Sequence, residues 1–71
     1  MTADELREMC VARRTELKLT QIELSKLSGI NQSTLCHIEN NRVKLNLVTL
    51  FKLLDALQLD FVISRRANPN P

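Results

Sequence analysis

The sequence predicts an all-α fold, a compact bundle of four to five short helices, and three observations carry that expectation. Leu, Glu, Lys and Asn are abundant, Trp and Tyr are absent and glycine occurs once, a balance that favours helices over strands. Apolar residues recur at spacings of three and four along most of the chain, the period of an amphipathic helix. Residues whose side chains cap helix N-termini, Thr20, Asn31 and Asn46, stand just ahead of three of those apolar runs.

The first helix is expected from Ala3 to about Leu17, with Leu6, Met9, Cys10, the stem of Arg13 and Leu17 on its apolar side and Asp4 and Glu5 at its positive end. After the link Lys18–Leu19, Thr20 stands three residues before Glu23, the spacing at which the two side chains cap each other's backbone amides. A second helix starts there, with Ile22, Leu24 and Leu27 as its apolar contacts. It should stop by Ser28, because Gly29 suits a left-handed residue just past a helix end. Ile30 plugs the core beneath that turn, and Asn31 caps a third helix from Gln32 to about Asn40, with Leu35 and Ile38 inward. The polar, basic stretch 41–45 reads as a loop ending at the cap Asn46, and a fourth helix follows from Leu47 to about Gln58.

On that fourth helix Leu47, Leu50, Phe51, Leu53, Leu54 and Leu57 spread over roughly 160°, wider than the roughly 100° stripe of a single core contact, so two packing surfaces are expected. Leu59, Phe61 and Ile63 then alternate with Asp60, Val62 and Ser64, a period-2 pattern that reads as one short strand. The other solution for this segment is a short fifth helix capped by Asp60. Because a lone strand cannot satisfy its backbone groups, Leu59, Phe61, Val62 and Ile63 are expected to pair with the same segment of a second subunit. One domain is thus expected over residues 1–64, with a flexible tail over 65–71.

A chain of 71 residues buries a modest core, which makes a partner subunit the natural source of added stability. Cys10 and Cys36 are too few for a disulfide framework and no apolar leader precedes them, so a reducing cytoplasm is the expected compartment. No run approaches the roughly 18 apolar residues of a membrane span. The net charge is +2 but uneven: residues 1–40 carry six acidic and five basic groups, and residues 41–71 carry two acidic and five basic ones, Arg42, Lys44, Lys52, Arg65 and Arg66. Such a basic end suits phosphate, though a solvated surface would look the same.

Function concentrates in the segment LTQIELSKLSGINQSTLCHIEN, residues 19–40: a capped helix, a glycine turn and a second capped helix whose outward face is small and polar. That is the arrangement of a helix-turn-helix. The second helix has to enter the DNA major groove, where exposed hydrogen-bonding side chains near its N-terminus reach base edges and bulky apolar ones would block it. Asn31, Gln32, Ser33, Thr34 and His37 form that face, and Gln21 opens the preceding helix. Cys36 beside His37 does not make a metal site, because two cysteines and one histidine cannot close a four-ligand shell, and the pair lacks the third group that would orient a nucleophile. Neither a cofactor nor catalysis is expected.

ARRTELKLTQIEL followed by GINQSTLCHIEN resembles the Xre, or Cro/C1-type, helix-turn-helix family over about residues 5–58, which implies a lambda-repressor-like bundle. The resemblance implies that Gln21 donates to a phosphate, that Asn31, Gln32, Ser33 and His37 face DNA, and that Arg14 and Glu39 tie the first helix to the recognition helix. Lys18 and Asn41 stand where that family often has glycine. The ending LNLVTLFKLLDALQLDFVIS is similar to the helix-then-strand ending of HipB-type antitoxins, which implies repression of the chain's own operon and a kinase-fold toxin partner. The leading expectation is a homodimeric repressor reading a palindromic operator in double-stranded DNA, with Arg42 and Lys44 on phosphates. The competing class is a protein-interaction module that binds a toxin or other partner through its apolar end and carries a non-functional helix-turn-helix.

Overall fold

The computed structural model describes residues 1–65, and among them the chain forms four helices: α1 (Ala3–Glu16), α2 (Gln21–Ser28), α3 (Gln32–Glu39) and α4 (Leu47–Ala56). Helix α2 packs on both α3 and α4, and α1 closes over α3. All four N-termini are capped by side chains. Thr20 and Glu23 exchange the reciprocal hydrogen bonds of a capping box (2.9 and 3.1 Å), Asn31 accepts from the Ser33 N–H and Asn46 from the Thr49 N–H, both at 2.8 Å. A second capping box, Thr2 with Glu5, starts α1, beyond the favourable charges of Asp4 and Glu5 expected there. The bonds that Glu23 accepts, first from the Thr20 backbone N–H, hold its carboxyl below the usual value.

Each helix ends on a left-handed residue, and only one of these is glycine. Gly29 has φ +76° with no atom within 4 Å of where a Cβ would lie, so it is the conformation and not the space that calls for glycine. Lys18, Asn41 and Gln58 take φ values of 58°, 57° and 58° just after α1, α3 and α4. At all three the backbone closes the same double lock. The left-handed residue donates to the carbonyl three back (Lys18 to Thr15, Asn41 to Ile38, Gln58 to Asp55), and the next residue donates five back (Leu19 to Arg14, Arg42 to His37, Leu59 to Leu54). Lys18 and Asn41 thus adopt the backbone for which the related family often supplies glycine.

The core is Cys10, Leu24, Ile30, Leu35, Leu50, Leu53, Leu54 and Leu57, with Leu6, Leu17, Leu19, Leu45, Ala56 and Leu59 packed around it; Ile38 is buried as well. Leu24, Leu35 and Leu57 are almost wholly enclosed, each contributing about 1.5–3 kcal/mol of burial. Several residues expected inside lie outside. Met9, Ile22 and Leu27 are about half exposed, because α1 and α2 each turn only a narrow stripe inward in so small a bundle. On α4 the expected two surfaces resolve into a buried one, Leu50, Leu53, Leu54 and Leu57, and a bare one, Leu47, Val48 and Phe51. No membrane-length apolar helix occurs among the described residues.

Residues 59–65 form neither the expected strand nor the alternative fifth helix in the single chain. A strand needs a partner ladder, and among the described residues no other extended segment supplies one. Leu59 is half-buried on the core, and the Phe61 ring meets Phe51 edge to face, centroids 5.9 Å apart at 86°. Val62 and Ile63 are 81% and 86% exposed. Of the expected tail at 65–71, all but Arg65 lies outside the described residues.

Candidate nucleic-acid interface

Two helix N-termini and one helix face build the site. Gly29 breaks the chain between α2 and α3; the Ser25 hydroxyl donates to the Ile30 carbonyl and the Ser28 hydroxyl accepts from the Ile30 N–H at 3.1 Å, so the turn is held at both ends. Leu35 and Ile38 point into the core, which leaves Gln32, Ser33, Thr34 and His37 exposed on the opposite side of α3. Gln21, at the start of α2, lines one shallow depression together with Gln32, Ser33, Cys36 and His37. Four of the residues expected at DNA are thereby brought onto a single strip.

Hydrogen bonding decides what those side chains still offer. Asn31 uses its carbonyl oxygen as the α3 cap, leaving its amide N–H groups for a partner. Gln21 donates one amide N–H to Glu39 Oε1 at 2.9 Å and keeps the second N–H and its carbonyl. The backbone N–H groups of Gln21 and Ile22, in the first turn of α2, have no intrahelical acceptor and face the helix's positive end, a ready anion contact. Among the described residues no three His, Cys, Asp or Glu side chains gather to hold a metal. Cys10 lies in the core, where burial, and to a lesser degree the nearby Glu39 charge, push its thiol up; Cys36 is half-buried on the strip and meets Asn40 Nδ2 at 3.4 Å.

Arg42 and Lys44 sit apart from that strip. Arg42 is the exposed residue that closes the α3 end, its N–H on the His37 carbonyl at 2.8 Å. Lys44 lines a different depression, between the start of α1 and the α3–α4 loop.

Arg14 and Glu39 meet as a forked pair, Nε to Oε2 at 2.7 Å and Nη2 to Oε1 at 2.9 Å, with side chains only 18% and 12% exposed. The bonds donated to Glu39 raise the Arg14 pKa above its ordinary value. Arg14 Nη1 also holds the Leu19 carbonyl at 2.8 Å, so one guanidinium joins α1, the link before α2 and the end of α3. Two further arginines make contacts that the sequence does not signal: Arg7, and Arg13, of which only the apolar stem is expected to pack. Arg7 Nη1 donates to the Glu39 carbonyl at 3.2 Å and Arg13 Nε to the Leu57 carbonyl at 3.1 Å, each placing a cation at a helix C-terminus, of α3 and of α4. Their partners are 32 and 44 residues away, so no local spacing signals them.

Comparison with known proteins agrees with this geometry. A model of the helix-turn-helix family matches residues 12–63. The chain is 40% identical over 52 residues to the antitoxin HipB of Escherichia coli O6:H1 and, at the same identity and length, to the antitoxin HipB of Escherichia coli K12. The matched segment is 73% of this chain and 55% and 59% of those two proteins, so the chain spans little more than half of their length. With α2, the Gly29 turn and α3 all inside the matched segment, the chain belongs to the Xre-type helix-turn-helix family of DNA-binding regulators.

Proposed function

We propose that this chain is a sequence-specific repressor that binds double-stranded DNA as a homodimer, reads a palindromic operator in the major groove and, as an antitoxin, controls its own operon and binds a kinase-fold toxin. One observation carries the DNA reading: Gln32, Ser33 and His37 are polar, exposed and set by the capped start of α3, with the half-buried Gln21 of α2 beside them. Gln32 and Ser33 occupy the first turn of α3, where side chains reach base edges, and Asn31, Thr34 and His37 flank them. The Gln21 side chain and the free backbone N–H groups of Gln21 and Ile22 take a phosphate, as do Arg42 and Lys44. The antitoxin role is supported by the HipB likeness, and the dimer by the bare apolar residues Leu47, Val48, Phe51, Phe61, Val62 and Ile63. A two-fold axis beside residues 59–64 gives those groups a cover and each strand its ladder. The chemistry is binding, and the location that follows is the cytoplasm.

Selection of bound sequences from random duplex DNA tests the proposal. The wild-type chain should enrich a two-fold symmetric site with half-sites about one helical turn apart. Gln32→Ala should lose about 1–3 kcal/mol on that site and relax preference at one base per half-site. Lys44→Ala should weaken all sequences alike and make the salt slope shallower by about one unit. An unaltered base preference in Gln32→Ala would place the reading helix elsewhere.

A further inference from the structure

Glu39 closes the fork between α1 and α3, and one of its oxygens also reaches the groove-facing strip. Oε2 accepts from Arg14 Nε at 2.7 Å, while Oε1 accepts twice at 2.9 Å, from Arg14 Nη2 and from the Gln21 amide nitrogen. A carboxylate held on a guanidinium fork has acceptor positions only. A carboxamide has an oxygen at one end and two N–H groups at the other, and its neighbours decide which end points where. Turning the Gln21 amide over would set its oxygen against Glu39 Oε1, in a place where the Glu39 side chain is only 12% exposed, so the nitrogen stays on Glu39. Gln21 is half-buried and lines the same depression as Gln32, Ser33 and His37, and what its amide still offers there is one N–H and the carbonyl oxygen.

We propose that Glu39 is a positioning residue for DNA binding, which sets the polarity of the Gln21 amide and through it the base preference of the strip; this role rests on the chain's binding duplex DNA as proposed. A free Gln21 would turn both of its N–H groups on a phosphate. The pinned one has a single N–H for the phosphate and a carbonyl that the duplex backbone cannot satisfy, because phosphate and deoxyribose oxygens within a strand only accept. Donors in the major groove come from the bases, the amino groups of adenine and cytosine. On a strip closed off from water by the duplex, the Gln21 carbonyl therefore takes one of those amino groups or a donor on Gln32, Ser33 or His37, which fixes how that side chain faces its base. Both routes make sequence preference depend on Gln21, whereas a plain phosphate contact adds affinity without preference. Arg14 enters the same chain, since its fork holds Glu39 where it orients Gln21.

Side-chain amide resonances of the ¹⁵N-labelled chain test the pinning without DNA. The two Gln21 Nε2 protons should differ in shift by more than those of Gln32 and Gln58, with slow exchange of the bonded one, and Glu39→Gln should erase the difference. Operator affinities of Glu39→Gln, Gln21→Met and the double variant, measured where all three are folded, test the role in binding. Glu39→Gln should weaken the operator by about fivefold to tenfold in the wild-type background and change little in Gln21→Met, whereas a merely structural loss would be equal in both. Gln21→Lys keeps the fork and separates the roles if Glu39→Gln folds poorly. The lysine donates to Glu39 and to the phosphate but has no carbonyl, so the salt slope should steepen by about one unit while base preference relaxes. Gln21 protons like those of Gln32 and Gln58, additive effects on operator affinity, or a Gln21→Lys chain that tightens on every sequence with its preference intact would each overturn the role of Glu39. A pinned amide in a chain without affinity for any duplex would overturn the DNA reading, and this role with it.

Discussion

The α1–α2–α3 junction and the C-terminal end of α4 are built by opposite means. At the junction, Glu39 alone collects donors from Arg14, Gln21 and Arg7, so three elements are locked by directional bonds. At the other end Phe51 and Phe61 are half exposed, Val62 and Ile63 are bare, and among the described residues the backbone of 59–65 has no ladder. The junction is held by bonds within one chain, whereas among the described residues the C-terminal end leaves apolar side chains uncovered. A surface that must hold a reading helix within a fraction of an ångström is set by hydrogen bonds, whereas one that must be covered by something else is left apolar. On the proposed function, the roles divide along the same line: recognition at the junction, assembly at the end.

Breaking the junction should have the largest effect. Glu39→Gln keeps the shape but leaves the Arg14 guanidinium without its counter-charge in a mostly buried site, and removal of one partner of a buried pair costs about 3–5 kcal/mol. That is much of what a domain of this size possesses. Urea melts should show the loss, together with weaker operator binding at temperatures where the variant is still folded. A loss below about 1 kcal/mol would class the fork with surface pairs.

Breaking the apolar end should leave the single chain stable and change its assembly. Val62 is 81% exposed and makes no contact that a core needs, so Val62→Pro removes a ladder donor without touching the bundle. Helix content and melting at low concentration should persist. Light scattering at micromolar concentration should show a monomer, and operator affinity should fall by about 100-fold as the second half-site ceases to be held in place. A dimer that survives with its affinity intact would return the end of the chain to the fifth-helix alternative or to another partner.

The same division separates what was legible in the sequence from what was not. Helix starts were legible at Thr20, Asn31 and Asn46 because a cap and the amide it binds lie within three residues of each other. The strip of Gln32, Ser33, Thr34 and His37 follows from the same local geometry, since Leu35 and Ile38 fix which way α3 faces. Arg7 and Arg13 were missed as helix-end donors because their acceptors, the carbonyls of Glu39 and Leu57, are backbone groups that leave no trace in residue type. Ile22, Leu27 and Leu47 were expected inside because periodicity says which residues share a face and not whether another element covers it. The strand pattern at 59–64 is real as a pattern, but pairing is a property of two segments and a single chain shows only one.

The smallest effect concerns the three helix ends that lack glycine, and it tests both regions at once. Lys18 and Asn41 close the ends of α1 and α3 at the junction, while Gln58 leads from α4 into the C-terminal segment. A side chain with a Cβ costs about 1–2 kcal/mol in the left-handed region, and asparagine less, since its short amide tolerates that backbone. Glycine removes this strain but gives back part of the gain through the greater freedom of its unfolded chain, about 0.5–1 kcal/mol. Lys18→Gly and Gln58→Gly should therefore each gain about 0.5–1 kcal/mol and Asn41→Gly close to nothing, with thermal midpoints rising by about 4–8 °C per kcal/mol. The two gains should differ in their consequences. Lys18→Gly acts on a complete region and should leave DNA affinity as it is, because the Schellman lock and the Arg14 bond to Leu19 keep the link in place. Gln58→Gly acts beside a segment held only by Leu59 and Phe61, so it should raise the melting point measured at low concentration while slightly weakening the dimer, through the added freedom of the strand that has to pair. Equal behaviour of the two variants in light scattering would mean that the C-terminal segment is as firmly placed as the junction.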